Sequence, residues 1–184
     1  MSDAALRLAG LLAEAEPRAG ATRVLAIDGR SGSGKSTIAR EAAIAAGAAT
    51  VAMEDLYGGW HGLREGIDRL VRDVLAPLSQ GRDALAARYD WVHGRWLEPV
   101  VLRAPALLIV EGVGAGALAA APHLSVLAWV EVQDGLRRQR ALARDGAIYT
   151  GHWEQWARQE RDYMSADRTR ARADVIIRAT DGDE

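Results

Sequence analysis

A short apolar run, Arg23–Asp28 (RVLAID), opens directly into Gly29-Arg30-Ser31-Gly32-Ser33-Gly34-Lys35-Ser36-Thr37, and an alanine-rich stretch of helical composition, 38–46, follows at once. The nine residues match G-x4-G-K-[ST], in which glycines let the backbone curl until successive N–H groups converge on a phosphate. A strand feeding such a curl and a helix leaving it commit this part of the chain to a strand–loop–helix unit, with the positive end of the helix dipole facing the loop. Lys35 is the single lysine among 23 Lys and Arg residues. A composition that otherwise takes its cations as arginine thus keeps one compact ammonium where a phosphate needs it.

The remaining elements follow from periodicity. Leu8, Leu11, Leu12 and Ala15 recur at helical spacing and Pro17 closes the run before Gly20, giving a leader helix within residues 1–20. Residues 48–53 read as a second strand. Leu63, Ile67, Leu70, Val71, Val74 and Leu78 then recur every three or four positions, which predicts a long helix ending near Gly81. Three more apolar runs, 106–110, 125–130 and 174–177, are short and bulky, as central strands covered on both faces are. Their alternation with helices predicts an α/β chain of the P-loop NTPase type, a doubly wound parallel sheet of about five strands with helices on both faces. The 184 residues suit one domain, long enough to bury roughly two-thirds of the unfolded chain's surface. Residues 180–184 form an acidic tail expected to fray.

Charge and composition exclude several classes of partner. A net charge of −2 gives no overall field for a nucleic acid polymer. The absence of cysteine removes disulfides and thiolate metal sites. The longest apolar runs are too short to span a bilayer, so the expectation is a soluble, cytoplasmic protein with a small-molecule partner and no membrane contact.

The loop fits a triphosphate, and ATP is the expected ligand. Gly29, Ser31, Gly32, Ser33, Gly34, Lys35, Ser36 and Thr37 are its candidate contacts, with Lys35 reaching the β- and γ-phosphates and the Ser36 hydroxyl ligating Mg²⁺. A hard cation wants a carboxylate as well, and the apolar run 107–110 delivers Glu111 to a strand's carboxyl end, facing the phosphate crevice. The second strand likewise ends in Glu54 and Asp55, either of which would orient or deprotonate an acceptor hydroxyl. Residues 134–152 carry a run of arginines. Arg140 and Arg144, one helical turn apart, are the pair assigned to stabilising a transferring phosphoryl group from a lid, whereas Arg137 and Arg138, and the arginines interleaved with Glu160 and Asp162, read as a solvated helix face.

In order and in context, the P-loop from Asp28 to Thr37, Glu54-Asp55-Leu56-Tyr57, Tyr89-Asp90-Trp91-Val92-His93, Ile109-Val110-Glu111-Gly112 and Ala173-Asp174-Val175-Ile176-Ile177 resemble the uridine/cytidine kinases. The resemblance covers most of the chain from about residue 22 and implies transfer of the ATP γ-phosphoryl group to a nucleoside hydroxyl. Register with Tyr57 places the implied catalytic base on Glu54, where the family carries aspartate, so Asp55 stays beside it as a candidate. The resemblance further implies acceptor contacts from Tyr57, Tyr89 and His93, with His93 one residue early, and a lid before Asp145 whose loop, 146–151, is abbreviated. The segment Gly58-Gly59-Trp60-His61-Gly62, where sugar recognition would lie, is shorter than in those kinases. Three readings stay open: a nucleoside-like kinase, a kinase of another small hydroxyl compound or of a nucleoside monophosphate, and an ATP-binding regulatory protein with little turnover. Trp60, Tyr89 and His93 on one cavity would favour the first, and an arginine-rich pocket the second.

Overall fold

The computed structural model describes residues 1–178, leaving out the side chains of residues 138 and 141–150. Five strands, β1 (Arg23–Asp28), β2 (Ala49–Ala52), β5 (Leu107–Glu111), β6 (Val126–Glu131) and β7 (Val175–Arg178), form one parallel sheet in the order β2-β5-β1-β6-β7. The central strand β1 is buried from Val24 to Asp28, which explains why it reads as a continuous apolar run. Successive residues still part company: Val24 and Ala26 join the core on one face, Leu25 and Ile27 the core on the other.

One face is covered by α1 (Asp3–Glu14) and α2 (Lys35–Ala46), which pack Leu8, Leu12, Ala39 and Ala42 against Leu25, Ile27 and Ile109. The backbone N–H and the hydroxyl of Ser2, the N-cap of α1, both donate to Glu41 at 2.7 Å and fasten the leader helix to α2. The opposite face carries α3 (Met53–Leu56), α4 (Leu63–Arg69), α5 (Ala76–Ser79), and α6 (Asp134–Asp167), with the single turn α7 (Thr169–Arg172) leading into β7. Between α4 and α5 the helix runs as a π-helix over Leu70–Leu75. Pro77, which has no N–H to give the preceding turn, sits at the start of α5, so the widened ladder coincides with a bond the chain cannot make. The long helix predicted from Leu63 to Leu78 is therefore present, in three segments.

Three features depart from the sequence expectation. The second strand stops at Ala52, and Met53–Leu56 turn at once into helix. Residues 84–102 form an antiparallel hairpin, β3 (Ala84–Asp90) and β4 (Arg95–Leu102), outside the main sheet. The segment 146–151, expected as a loop within the lid region 134–152, is part of the continuous 34-residue helix α6. Among the described residues no helix is long and apolar enough to cross a membrane.

Candidate active site

Strand β1 ends at the sheet's carboxyl edge, and Gly29 turns the chain there with φ at 149°. A Cβ on Gly29 would run into the carbonyl oxygen of Val130 on neighbouring β6, so only glycine lets the loop leave between the two strands. The curl closes at Gly34, the left-handed N-cap of α2, and Lys35 begins that helix. The Lys35 ammonium is almost buried and donates to the carbonyl of Arg30 at 3.0 Å, across the loop it closes. Ser33 Oγ is buried with no protein partner, an orphaned polar atom inside a concave loop of amides and hence a fit for phosphate oxygens.

Parallel register brings the acid. Ile27 of β1 lies opposite Glu111 of β5, so the carboxylate emerges beside the start of the loop, and the Ser36 hydroxyl donates to Glu111 Oε2 at 3.2 Å. Gly112, at φ 131°, passes so close to Met53 that a Cβ would lie 2.6 Å from that residue's own Cβ. This close approach carries α3 and Glu54 over the end of β5. Ser36 and Glu111 fit Mg²⁺, which keeps several waters and takes only one or two protein oxygens besides phosphate. Among the described residues no group of three or more His, Cys, Asp or Glu side chains could hold a metal.

A cavity of about 350 Å³ opens above the loop. Its floor is Ser31, Gly32, Lys35 and Ser36; Glu54 and Glu111 supply its carboxylates; Tyr57, Trp60, Trp91 and Trp156 form aromatic walls, completed by Val92, Gly112 and Val113. The rings meet edge to face: Trp60 to Trp156 at 84°, Trp60 to Trp91 at 64°, Tyr57 to Trp156 at 61°. Trp91 at the hairpin tip donates to the carbonyl of Glu54 at 3.1 Å, tethering β3–β4 to α3. The buried Tyr57 hydroxyl donates to the Val113 carbonyl at 2.6 Å, and burial, reinforced by the charge of Asp28, holds its phenol well above the usual range.

The candidates named from the sequence separate here. Lys35, Ser31, Gly32, Ser36, Glu54, Glu111 and Tyr57 meet on one cavity, and Gly29, Ser33 and Gly34 shape the loop beneath it. Thr37 is exposed in the first turn of α2. Asp55 lies outside the cavity, where partial burial raises its carboxyl against the opposing pull of Arg88. Tyr89 and His93 are also outside, correcting the expectation that they line it. Tyr89 packs edge-on against Trp91 and Trp96 at 5.4 and 5.0 Å. Asp90 Oδ1 accepts the amides of Val92 and His93 and Oδ2 the His93 ring, an Asx turn that faces the histidine to solvent at 65% exposure and leaves Trp91 and Val92 at the cavity. Arg140 is half-buried on α6, and the Arg144 side chain lies outside the described residues.

The second half of the site comes from α6, from Arg137 and Glu160, where the sequence predicts a solvated face. Glu160 is fully buried and accepts the Ser31 amide at 2.8 Å; Arg30 and Arg137 flank it at 3.4 and 3.7 Å. Arg137, also buried, donates to the Ser31 carbonyl at 3.2 Å. One turn either side of Glu160, Trp156 reaches the cavity and Tyr163 donates to Asp28 at 2.7 Å. The only sequence signal was the spacing Trp153, Trp156, Glu160, Tyr163, an apolar stripe interrupted by one acid.

Neither a protein-family model nor a curated protein matches the chain. Its fold is nonetheless similar to solved structures over almost its full length. A possible uridine kinase from Bacillus stearothermophilus superposes with a TM-score of 0.68 at 18% identity, covering 95% of this chain and 97% of that one. A candidate fructose transport system kinase from Silicibacter sp. TM1040 gives 0.65 at 19% identity, covering 96% and 100%. At such identities the likeness establishes the fold: this is a P-loop NTPase α/β domain of the form seen in P-loop kinases.

Proposed function

We propose that the protein transfers the γ-phosphoryl group of ATP to a hydroxyl of a small, unphosphorylated acceptor with a flat ring, a nucleoside-like molecule in the first instance. The observation that carries this reading is that Lys35, Ser36, Glu111 and Glu54 meet on one aromatic-walled cavity, with no arginine among its described lining residues. An acceptor between Trp60, Trp91 and Tyr57 would stack its ring and present a hydroxyl near Glu54. Glu54 accepts the hydroxyl proton as the new P–O bond forms and the bond from γ-phosphorus to the ADP oxygen breaks. Ser36 and Glu111 would hold Mg²⁺, which neutralises charge on the phosphates. Lys35 and the loop amides stabilise charge on the transferring group. The role given above to Tyr89 and His93 passes to Trp60 and Trp91.

The test is an ATP-consumption assay over a panel of nucleosides, nucleoside monophosphates, sugars and amino alcohols, with Lys35→Ala as control. Turnover with a ring-bearing, unphosphorylated alcohol is expected, abolished in the folded Lys35→Ala variant. Turnover confined to phosphorylated acceptors, or undiminished in Lys35→Ala, would reject the reading.

A further inference from the structure

The wall of the acceptor cavity and the floor of the phosphate site are joined by one side chain. Trp156 turns its ring toward Tyr57 and Trp60 and its indole Nε1–H toward the phosphate loop, donating to Ser31 Oγ at 3.0 Å and to Glu160 Oε1 at 3.2 Å. The same Glu160 oxygen accepts the Ser31 backbone amide at 2.8 Å. Ser31 is thus held through both its hydroxyl and its amide by two residues one turn apart on α6. Glu160 is fully buried and Trp156 is 4% exposed, so neither contact competes with bulk water. Arg137, also from α6, grips the Ser31 carbonyl at 3.2 Å and completes the clasp.

From this geometry we infer that Trp156 is a positioning residue that couples the two half-sites: its indole N–H fixes the shoulder of the phosphate loop, and nucleotide binding in turn sets the pose of the ring that walls the acceptor cavity. The inference rests on the kinase reading for its nucleotide but not on the identity of the acceptor. A loop of small residues and glycines has little stiffness of its own, so preorganisation has to come from groups that grip it. Among the described residues Ser31 is the loop position held through amide, carbonyl and hydroxyl at once, all three by α6. A ring displaced from the cavity side drags on the Ser31 hydroxyl, and a loop that reshapes around phosphate drags on the ring. Such reciprocity is the thermodynamic form of coupling between adjacent sites.

The experiment uses the full chain and Mg·AMPPNP, followed by calorimetry and by tryptophan fluorescence. Trp156→Phe keeps an aromatic wall but removes the donor, and Ser31→Ala removes the acceptor. Loss of one buried hydrogen bond predicts about threefold to tenfold weaker Mg·AMPPNP binding in each variant. The double variant should be no weaker than Trp156→Phe alone, because the bond that Ser31→Ala removes is one of the two that the indole N–H makes. Ser31→Thr, which restores a hydroxyl, should restore affinity. In the wild type Mg·AMPPNP should change the tryptophan emission, and that change should vanish in Trp156→Phe and shrink in Ser31→Ala. Unchanged affinity in Trp156→Phe, losses that multiply in the double variant, or a spectral response that survives in Trp156→Phe would overturn the coupling role while leaving the kinase reading intact. Absence of Mg·AMPPNP binding in the wild type would overturn both.

Discussion

Asp28→Asn keeps the volume of a fully buried side chain and changes only what it can accept. Four donors converge on the carboxylate: Gly29 N at 2.6 Å and Gly114 N at 3.3 Å on Oδ1, and Gly116 N at 2.8 Å and the Tyr163 hydroxyl at 2.7 Å on Oδ2. An asparagine has one oxygen for these four. With its NH₂ at the Oδ1 position it strands two backbone amides. At the Oδ2 position the Tyr163 hydroxyl can rotate and accept, leaving only the Gly116 amide unpaired, so the second arrangement is the cheaper. A stranded buried N–H costs about 1–3 kcal/mol, and the bonds that survive lose their charge assistance, while burying a neutral amide recovers part of the carboxylate's desolvation. The expected loss is about 2–3 kcal/mol in urea denaturation at neutral pH, with an unchanged m-value. Gly114 and Gly116 belong to the loop that follows Glu111, so turnover should fall as well.

The pH dependence of the same variant carries a sign. Burial raises the Asp28 carboxyl above its ordinary 3.8, against the pull of the Tyr163, Gly116 and Gly29 hydrogen bonds and of Lys35. The folded chain therefore holds this proton at pH values where the unfolded chain has released it. Stability from this group is fully present below the unfolded value and is lost as pH rises through the folded one. The amide introduced by Asp28→Asn cannot titrate, so the gap between wild type and variant should be widest near the acid end of that window and narrow to its neutral value above it. A variant within about 0.5 kcal/mol of wild type, or a gap that widens with rising pH, would refute the assignment of Asp28 as the buried anchor of both loops.

Two further outcomes follow from the geometry. Glu111→Gln leaves Ser36 as the lone protein group at the proposed metal position, so the Mg²⁺ needed for half-maximal activity should rise about tenfold with little change in Tm; an unchanged requirement would remove Glu111 from the metal. Trp91→Ala takes away a cavity wall and should raise the acceptor KM about tenfold or more, whereas His93→Ala alters a solvent-facing Asx turn and should leave it within about twofold; the reverse ranking would return the histidine to the acceptor site.

The legible parts of this fold are the ones whose signal is local. Strands β1, β5 and β6 are buried on both faces and so announce themselves as apolar runs, and the phosphate loop is a contiguous string whose backbone geometry dictates its glycines. The β3–β4 hairpin gave no such signal, because it packs on the domain with one side only: Leu85, Val100 and Val101 are about half exposed, and the strand bulges between Ala86 and Arg88. Residues 89–93 meet the cavity through Trp91 and Val92 and not through Tyr89 and His93, since the Asx turn at Asp90 decides which side chains face it. Glu160 differs from the charges around it only in sharing the stripe of Trp153, Trp156 and Tyr163. Its burial depends on Arg30 and Ser31, some 130 residues away in sequence, and no periodicity within α6 encodes a pairing of that range. The same holds for Arg137.

The charges around the cavity bear on which acceptor it admits. On the proposed reading Lys35, on the floor, would serve the phosphates of the nucleotide, and the other ionisable side chains lining the cavity, apart from the phenol of Tyr57, are the carboxylates Glu54 and Glu111. A phosphorylated acceptor would bring a second anion beside Glu54 with no lining arginine among the described residues to receive it. Two like charges at roughly 4–5 Å repel by about 3–4 kcal/mol at an effective dielectric near 20, a penalty of several hundredfold in affinity before any contact is gained. Four aromatic rings set nearly edge to face offer the opposite inducement, a large apolar surface with no demand for charge on its guest. The monophosphate alternative is thus disfavoured by the same residues that make the cavity, and an uncharged ring carrying a free hydroxyl is the guest that brings no second anion beside Glu54.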